Sequence, residues 1–273
     1  MTTLSTTRLI LGAVAFAVCW PVVFSTSAEA QKVTECTKLE ICYCVNTAVK
    51  ASIDKNVAYF REQIAAQRKA GKAIGYLSLP LSSTGGGAYH INVEVAAAAK
   101  AEVEKRFGAD QVWITNPAVP QSDIPNGTGA DYMLMWTQIL EGTGGMGEDF
   151  DFAYFVGPSD FGRFFGFDGD GDMVKLEQYF DKRTKTDPEL EKIIQKGLTR
   201  SQFRNYYAFK ASTNISRGAH DEWNIVRALN DRRRASDKFG IGNQISVMYD
   251  GAGVSPADFE APTSPGYIGR CAN

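Results

Sequence analysis

Glu222 is the side chain in this sequence whose type and placement most favour chemistry. It ends the segment Ser216–Glu222, which opens a helix predicted to begin near Ala219. Glu222, Val226 and Leu229 fall at positions i, i+4 and i+7, so the carboxylate shares a face with core-type residues. In the first turn of a helix, free N–H groups and the helix dipole favour an anion. Two interpretations follow: an acid that faces a ligand, or an acid that only caps the helix.

The elements that must position this carboxylate alternate between helix and strand. In chain order, the hydrophobic pattern predicts a helix over Thr47–Ala70, a strand over Ala73–Leu81, a helix over Asn92–Phe107, a strand over Gln111–Thr115, a helix over Asp131–Leu140, a strand over Phe150–Val156, helices over Met173–Arg183 and Pro188–Leu198, a strand or extended arm over Tyr206–Ser212, the helix from Ala219, and a strand over Gln244–Tyr249. The alternation predicts an α/β fold with a parallel, doubly wound sheet of the flavodoxin or Rossmann type. We expect three layers, with a helical insertion at about 157–214.

Two segments are expected at the edge of this sheet where ligands bind. In open parallel sheets, ligands bind beyond the carboxyl ends of the strands, near helix N-termini. The loop that follows Leu81 and the segment Ser216–Glu222 both belong to that edge. The loop contains Gly85-Gly86-Gly87 without the residues of a phosphate-binding loop, so it is predicted to be a mobile lid.

An ordered set of short motifs resembles the nucleoside 2-deoxyribosyltransferase-like superfamily. The motifs are Tyr76-Leu77-Ser78-Leu79-Pro80 in the first strand, Asn116-Pro117-Ala118 after the next strand, Tyr132-Met133 in a helix, Asp151-Phe152-Ala153-Tyr154 in a strand, and Ser216-x-Gly218-Ala219-x-x-Glu222. The resemblance covers about 73–250, apart from roughly fifty residues of insertion. It implies the same α/β fold and chemistry at an N-glycosidic bond.

The resemblance also implies roles for individual residues. Glu222 matches the family's nucleophile, which attacks the anomeric carbon of a nucleoside and forms a glycosyl-enzyme that a second base or water resolves. Gly218 would let the backbone approach the sugar closely, and Ser78 or Ser216 would hydrogen-bond its hydroxyls. Tyr76 belongs to the first-strand motif and is assigned to substrate binding with them.

This chain departs from the family's pattern at two positions. The family commonly has acids where this sequence has Ser216 and Trp136, and Asp131, one turn before Trp136, is the residue expected to compensate. Two functions are therefore carried forward. The first is an exported N-glycosidase or deoxyribosyltransferase that acts through Glu222, and the second is a non-catalytic exported module that binds a small ligand or a protein at the same edge.

Composition narrows the class of partner. The chain of 273 residues has 29 Lys and Arg against 31 Asp and Glu, a net charge of −2. A balance near zero argues against a nucleic-acid or anionic-membrane surface. The small-molecule ligand that we expect is what the resemblance implies. No sequence motif calls for a cofactor, and a homo-oligomer is left open.

The first thirty residues have the pattern of a signal peptide. Arg8 precedes an apolar run over Leu9–Phe24, and Ala28-Glu29-Ala30 fits a signal-peptidase site. Cleavage would leave a chain that begins at Gln31 and has no membrane segment. The pattern predicts export to a periplasmic or extracellular location. The remainder divides into an N-terminal segment, 31–72, and the α/β domain, 73–273.

Four cysteines remain after the signal peptide, which predicts two disulfides in an oxidising compartment. They are Cys36, Cys42, Cys44 and Cys271. Three pairings are conceivable, but Cys42 and Cys44 flank a single residue and are poorly placed to bond each other. At least one bond is therefore expected to join the N-terminal cluster to Cys271.

No metal site is predicted. The Cys-x-Cys spacing lacks the usual zinc pattern and a nearby histidine. The segment Asp168–Asp172 resembles the start of a calcium loop, but Met173 stands where glycine is needed and Tyr179 where a bidentate glutamate should be. A plain turn is the preferred interpretation.

Overall fold

The computed structural model describes residues 31–210, 216–236 and 243–272. The strands are β1 (Lys32–Cys36), β2 (Cys42–Asn46), β3 (Ala73–Ser78), β4 (Val112–Thr115), β5 (Phe152–Phe155), β6 (Ser246–Tyr249) and β7 (Ala252–Gly253). The helices are α1 (Lys50–Lys69), α2 (Tyr89–Phe107), α3 (Gly129–Glu141), α4 (Pro158–Phe165), α5 (Asp172–Thr184), α6 (Pro188–Gln195), α7 (Arg200–Asn205), α8 (Arg217–Arg234) and α9 (Pro256–Glu260). The predicted signal peptide lies outside the described residues.

The central sheet confirms the predicted α/β class. Its five strands have the order β4-β3-β5-β6-β7, and the first four are parallel. The short strand β7 pairs with β6 in the antiparallel direction. The chain passes from β3 to β4 on one side and then crosses to β5 on the other, so the order reverses between β3 and β5. Such a reversal opens a crevice at the carboxyl ends of the strands.

Helices cover both faces of the sheet and make the fold three-layered. Alternate residues of a strand point to opposite faces, and β3 shows this directly. Tyr76 lies in the hydrophobic cluster formed with α1, α3 and α8, whereas Leu77 lies in the cluster formed with α2 and the insertion. Ser78 is therefore on the same face as Tyr76, directed toward the layer that contains α8. The β3 register thus determines which side chains can meet Glu222.

The N-terminal segment forms a hairpin that both disulfides fix. Strands β1 and β2 pair in the antiparallel direction, and Cys36–Cys42 closes their turn. Cys44 is bonded to Cys271, 227 residues later. This pairing confirms the predicted link from the N-terminal cluster to the C-terminus. Tyr43 of β2 is buried and shares a 2.8 Å hydrogen bond with Thr137 of α3, so the hairpin is part of the core.

The insertion after β5 is helical, as predicted, but it has more helices than the sequence suggested. Helices α4 and α7 were not foreseen, and 206–210, expected to be a strand or an arm, is a π-helix. Phe161 and Phe165 are buried in the cluster that joins the insertion to α2. The insertion therefore packs on the face of the sheet opposite to the face that α8 covers.

The glycine loop after β3 packs against this insertion. A Cβ on Gly86 would lie 2.4 Å from the carbonyl oxygen of Gln202, and one on Gly87 would lie 2.6 Å from the ring of Tyr206. The Tyr206 hydroxyl also donates a 2.8 Å hydrogen bond to the carbonyl of Ser82. The glycines thus permit close packing of the loop, which is a role different from that of the predicted mobile lid.

Candidate functional site

A cavity of about 370 Å³ opens at the carboxyl ends of β3 and β4. Its volume falls in the usual range of small-molecule sites, roughly 300–1,000 Å³. The described lining residues are Leu79, Leu81, Ser82, Tyr89, Pro117, Ser122, Asp123, Gly127, Gly129, Tyr132, Met133, Trp136, Ser216, Gly218, Ala219, Glu222 and Tyr267. They come from the loops after the two strands, from α2, α3 and α8, and from the C-terminal segment. The cavity therefore lies at the edge where the topology of the sheet predicts a ligand.

Glu222 reaches this cavity from the second turn of α8. The helix begins at Arg217, two residues earlier than predicted, with Ser216 as its N-cap. The first-turn position inferred from the sequence is therefore wrong, and the helix dipole acts less strongly on Glu222 than expected. Its face was predicted correctly, because Val226 and Leu229 of the same stripe are buried in the core.

Two hydroxyl groups of β3 hold the Glu222 carboxylate. Tyr76 donates a hydrogen bond of 2.5 Å to Oε1, and Ser78 donates a short one to Oε2. Both donors are fully buried, and Glu222 itself is only 6% exposed. Alternation along the strand places both hydroxyls on the face toward α8. Tyr76 and Ser78 therefore position Glu222 from behind, whereas the sequence interpretation assigned them to the substrate.

Burial raises the pKa of the Glu222 carboxyl to about 7, since the charged form is desolvated. The hydrogen bonds from Ser78 and Tyr76 favour the charged form and lower the pKa, and nearby Asp221 raises it. The carboxyl is consequently divided between its two protonation states near neutral pH. A perturbed acid in a cleft is a common property of functional sites.

This pKa predicts a pH-dependent free energy of unfolding. The folded value of about 7 exceeds the ordinary value of 4.5, so the folded chain binds an extra proton between these limits. The resulting stabilisation is complete below about pH 4.5 and is lost as the pH rises through 7, about 3 kcal/mol in all. We expect urea unfolding of Glu222→Gln to lack this part of the pH dependence. Parallel stability curves for the two proteins between pH 4.5 and 8 would contradict the assignment.

The other walls of the cavity are mainly aromatic and apolar. Trp136 lies beside Tyr76, with their ring centroids 5.7 Å apart, and faces the cavity where the resemblance expected an acid. Tyr89, Tyr132 and Tyr267 add three further rings to the lining. Flat aromatic surfaces of this kind suit a planar ligand group.

Asp123 is the second carboxylate in the lining, and the sequence interpretation missed it. It lies in the loop that follows β4, and the Tyr132 hydroxyl donates a 3.1 Å hydrogen bond to its Oδ1. The same hydroxyl accepts a 3.0 Å hydrogen bond from the backbone N–H of Ile124. Its position after a predicted strand, close to Asn116-Pro117, was the available signal.

The remaining predicted site residues separate into two groups. Ser216 and Gly218 line the cavity with Glu222, and the Ser216 hydroxyl also accepts a hydrogen bond from the N–H of Ala219. Asp131 is fully buried, and its carboxylate accepts hydrogen bonds from the N–H of Asn46 and from Thr128. These contacts cap α3 and join it to β2, so this geometry does not support a role for Asp131 in holding a ligand.

The described residues contain no group of three or more His, Cys, Asp or Glu that could hold a metal ion. In the loop resembling a calcium site, Asp172 accepts hydrogen bonds from the N–H groups of Asp168 and Gly169, and Lys175 pairs with Asp168.

Within the described residues, no helix is both long enough and apolar enough to cross a membrane. No protein-family profile, curated protein or solved structure matches this chain.

Proposed function

We propose that this protein is an exported enzyme that cleaves or transfers an N-glycosidic bond, with Glu222 as the nucleophile. The observation that carries the proposal is a buried carboxylate on a cavity wall, held by two hydroxyl donors and with a pKa near 7. The resemblance to nucleoside 2-deoxyribosyltransferases supports the same role for this residue.

The proposed reaction follows from these contacts. One Glu222 oxygen attacks the anomeric carbon as the C–N bond breaks, and the base leaves with the bonding electrons and takes a proton from solvent, to which the incoming water or second base returns one in the next step. Water, or the nitrogen of a second base, then attacks the same carbon and releases the carboxylate. Tyr76 and Ser78 hold the carboxylate in one orientation, which lowers the entropic cost of reaching the reactive geometry.

The lining favours an uncharged or cationic substrate with a planar group. Glu222 and Asp123 are the charged residues among the described lining residues, and both are acidic. They would repel a phosphate ester and tolerate a neutral nucleoside. The rings of Trp136, Tyr132 and Tyr267 offer apolar surfaces for a base.

The proposal places the enzyme outside the cytosol. The signal-peptide pattern of 1–30 and the two disulfides both favour an oxidising compartment, periplasmic or extracellular. The enzyme would then act on nucleosides outside the cytosol.

The test is release of free base by the purified chain that begins at Gln31. It is incubated with ribonucleosides, 2′-deoxyribonucleosides and their 5′-monophosphates, and the products are separated by reversed-phase chromatography. We expect base release from at least one nucleoside and weaker release from its monophosphate. An added second base distinguishes transfer from hydrolysis. Absence of turnover across the whole panel would refute the enzymatic proposal.

A non-catalytic exported binding module is the second candidate. Trp136 and Ser216, which occupy positions where the nucleoside 2-deoxyribosyltransferase-like superfamily commonly has acids, both line the cavity and favour it. A module of this kind would show a higher thermal midpoint with a bound nucleoside or base, without turnover. Glu222→Gln would leave that binding unchanged, whereas an enzyme would lose its activity.

A further inference from the structure

The last residues of the chain form one wall of the cavity. We call 261–272 the C-terminal strap; it runs from α9 past the start of α8 to the β1–β2 hairpin. Its Tyr267 lines the cavity, and the Tyr267 ring packs on Gly129 at the start of α3. A Cβ on Gly129 would lie 2.3 Å from that ring, so the close approach requires glycine.

The strap binds the turns of α8 that carry Glu222. The carboxylate of Asp221, the neighbouring residue, accepts hydrogen bonds of 2.6 Å from the N–H groups of both Gly266 and Tyr267. Arg217 donates a 2.6 Å hydrogen bond to the Gly266 carbonyl, and its guanidinium lies 4.6 Å from the centre of the Tyr267 ring. A Cβ on Gly266 would lie 1.8 Å from the Arg217 carbonyl oxygen. The strap and the helix therefore fit against each other at backbone distance.

A disulfide anchors the far end of the strap. Cys271 is bonded to Cys44 of β2, its N–H donates to the Thr34 hydroxyl at 3.0 Å, and the N–H of Gly269 donates to the carbonyl of Cys42 at 2.8 Å. Strand β2 is itself packed on α3 through Tyr43. The anchor is thus fixed to a helix that forms another wall of the cavity.

The apolar contacts of the strap are those of Tyr267 and Ile268, which pack against the core, and hydrogen bonds such as those between Thr263 and Asn224 make up much of its remaining contact with α8. Gly266 is the one buried residue among 261–272, and the others are exposed or partly exposed. A segment with little buried apolar surface opens locally at low free-energy cost. A covalent tether keeps the strap at a high effective concentration beside α8 after any such opening.

We propose that the Cys44–Cys271 disulfide controls assembly of the cavity, because it holds the strap that supplies Tyr267 and fixes the Glu222 turn of α8. Reduction by a dithiol transfers two electrons and two protons to the bond, giving two thiols and an oxidised cyclic disulfide of the reductant. The strap then leaves α8, and the cavity loses the Tyr267 wall. The complete site would exist only after oxidation, so the chain would be inactive before export. Its consequence for activity rests on the proposed function.

Hydrogen exchange tests the strap without any assumption about activity. We compare the Cys44→Ser/Cys271→Ser double variant with a Cys36→Ser/Cys42→Ser double variant, which removes the other disulfide and leaves the tether in place. The first should exchange the amides of 263–270 roughly tenfold or more faster, by a local opening that leaves β3 far better protected than the strap, and the second should keep wild-type protection of the strap. Equal protection of the strap in both variants would overturn the proposal.

Two further measurements extend the test. Wild-type protein that is folded and then treated with dithiothreitol should show the same faster exchange, which covers the case in which the variant does not fold. Gly266→Ala, with both disulfides intact, should displace the strap from Arg217 and raise the KM for any nucleoside that is turned over. If the strap is released but KM and kcat stay at wild-type values, its role in the cavity is refuted. If no nucleoside is turned over, the exchange result still decides whether the Cys44–Cys271 disulfide holds the strap on α8.

Discussion

Replacing Glu222 with glutamine is expected to abolish base release while leaving the protein folded. Removal of a covalent nucleophile costs a factor on the order of 10⁴–10⁶ in kcat. Glutamine has nearly the same shape, and its side-chain oxygen and nitrogen can hydrogen-bond the hydroxyls of Tyr76 and Ser78 in place of the carboxylate. The measurement is single-turnover base release, together with the thermal midpoint of each protein.

A second buried glutamate provides a matched control. Glu141 is 2% exposed, burial raises its pKa, and its Oε2 accepts a 3.1 Å hydrogen bond from the N–H of Leu39. It does not belong to the described lining of the cavity. Glu141→Gln should therefore keep wild-type kcat, although it too neutralises a buried acid. Comparable activity of Glu222→Gln and wild type would exclude Glu222 as the nucleophile.

The main sheet and the face of Glu222 could be predicted because both depend on local periodicity. Strand β3 is a buried apolar run, and it ends at Ser78, three residues before the predicted limit at Leu81, with Pro80 in between. Proline lacks the N–H that a strand ladder needs. The stripe of Glu222 with Val226 follows from helical spacing alone. The local pattern thus determined whether a segment forms a helix or a strand, whereas the residue at which each element ends depended on the residues that follow it.

The partners of the candidate carboxylate could be named from sequence, but their roles could not. Tyr76 and Ser78 were expected to touch a ligand, and they contact Glu222 because α8 packs on the same face of β3. Asp131 was expected in the cavity, but its carboxylate accepts a hydrogen bond from the N–H of Asn46 in β2. The hairpin that provides this donor was not predicted. A side chain's role therefore depended on long-range packing.

The C-terminal wall of the cavity could not be predicted from the sequence. The strap has no helical or strand periodicity, so Tyr267 carries no local signal of its place. Its position follows from Gly266, which fits against Arg217, and from the bond to Cys44. The expected link to Cys271 was the one sequence feature that brought this segment toward the N-terminus.

The two disulfides are expected to differ in their effect on the free energy of unfolding. Each removes conformational entropy from the unfolded chain, and the effect grows with the logarithm of the loop that the bond closes. Cys44–Cys271 spans 227 residues and Cys36–Cys42 spans 6. The long loop predicts a loss of about 5 kcal/mol for Cys44→Ser/Cys271→Ser, and the short loop a loss of about 2 kcal/mol for Cys36→Ser/Cys42→Ser.

Urea unfolding under non-reducing conditions measures both losses. The larger one is comparable to the whole stability of many single domains, about 5–15 kcal/mol, so the long-loop variant is expected to be marginal at 37 °C. For this variant, the unfolding free energy should fall more steeply with urea concentration, because an untethered chain exposes more surface when it unfolds. Equal losses for the two double variants would show that native contacts of the hairpin and the strap, rather than the entropy of the unfolded chain, determine what each bond contributes.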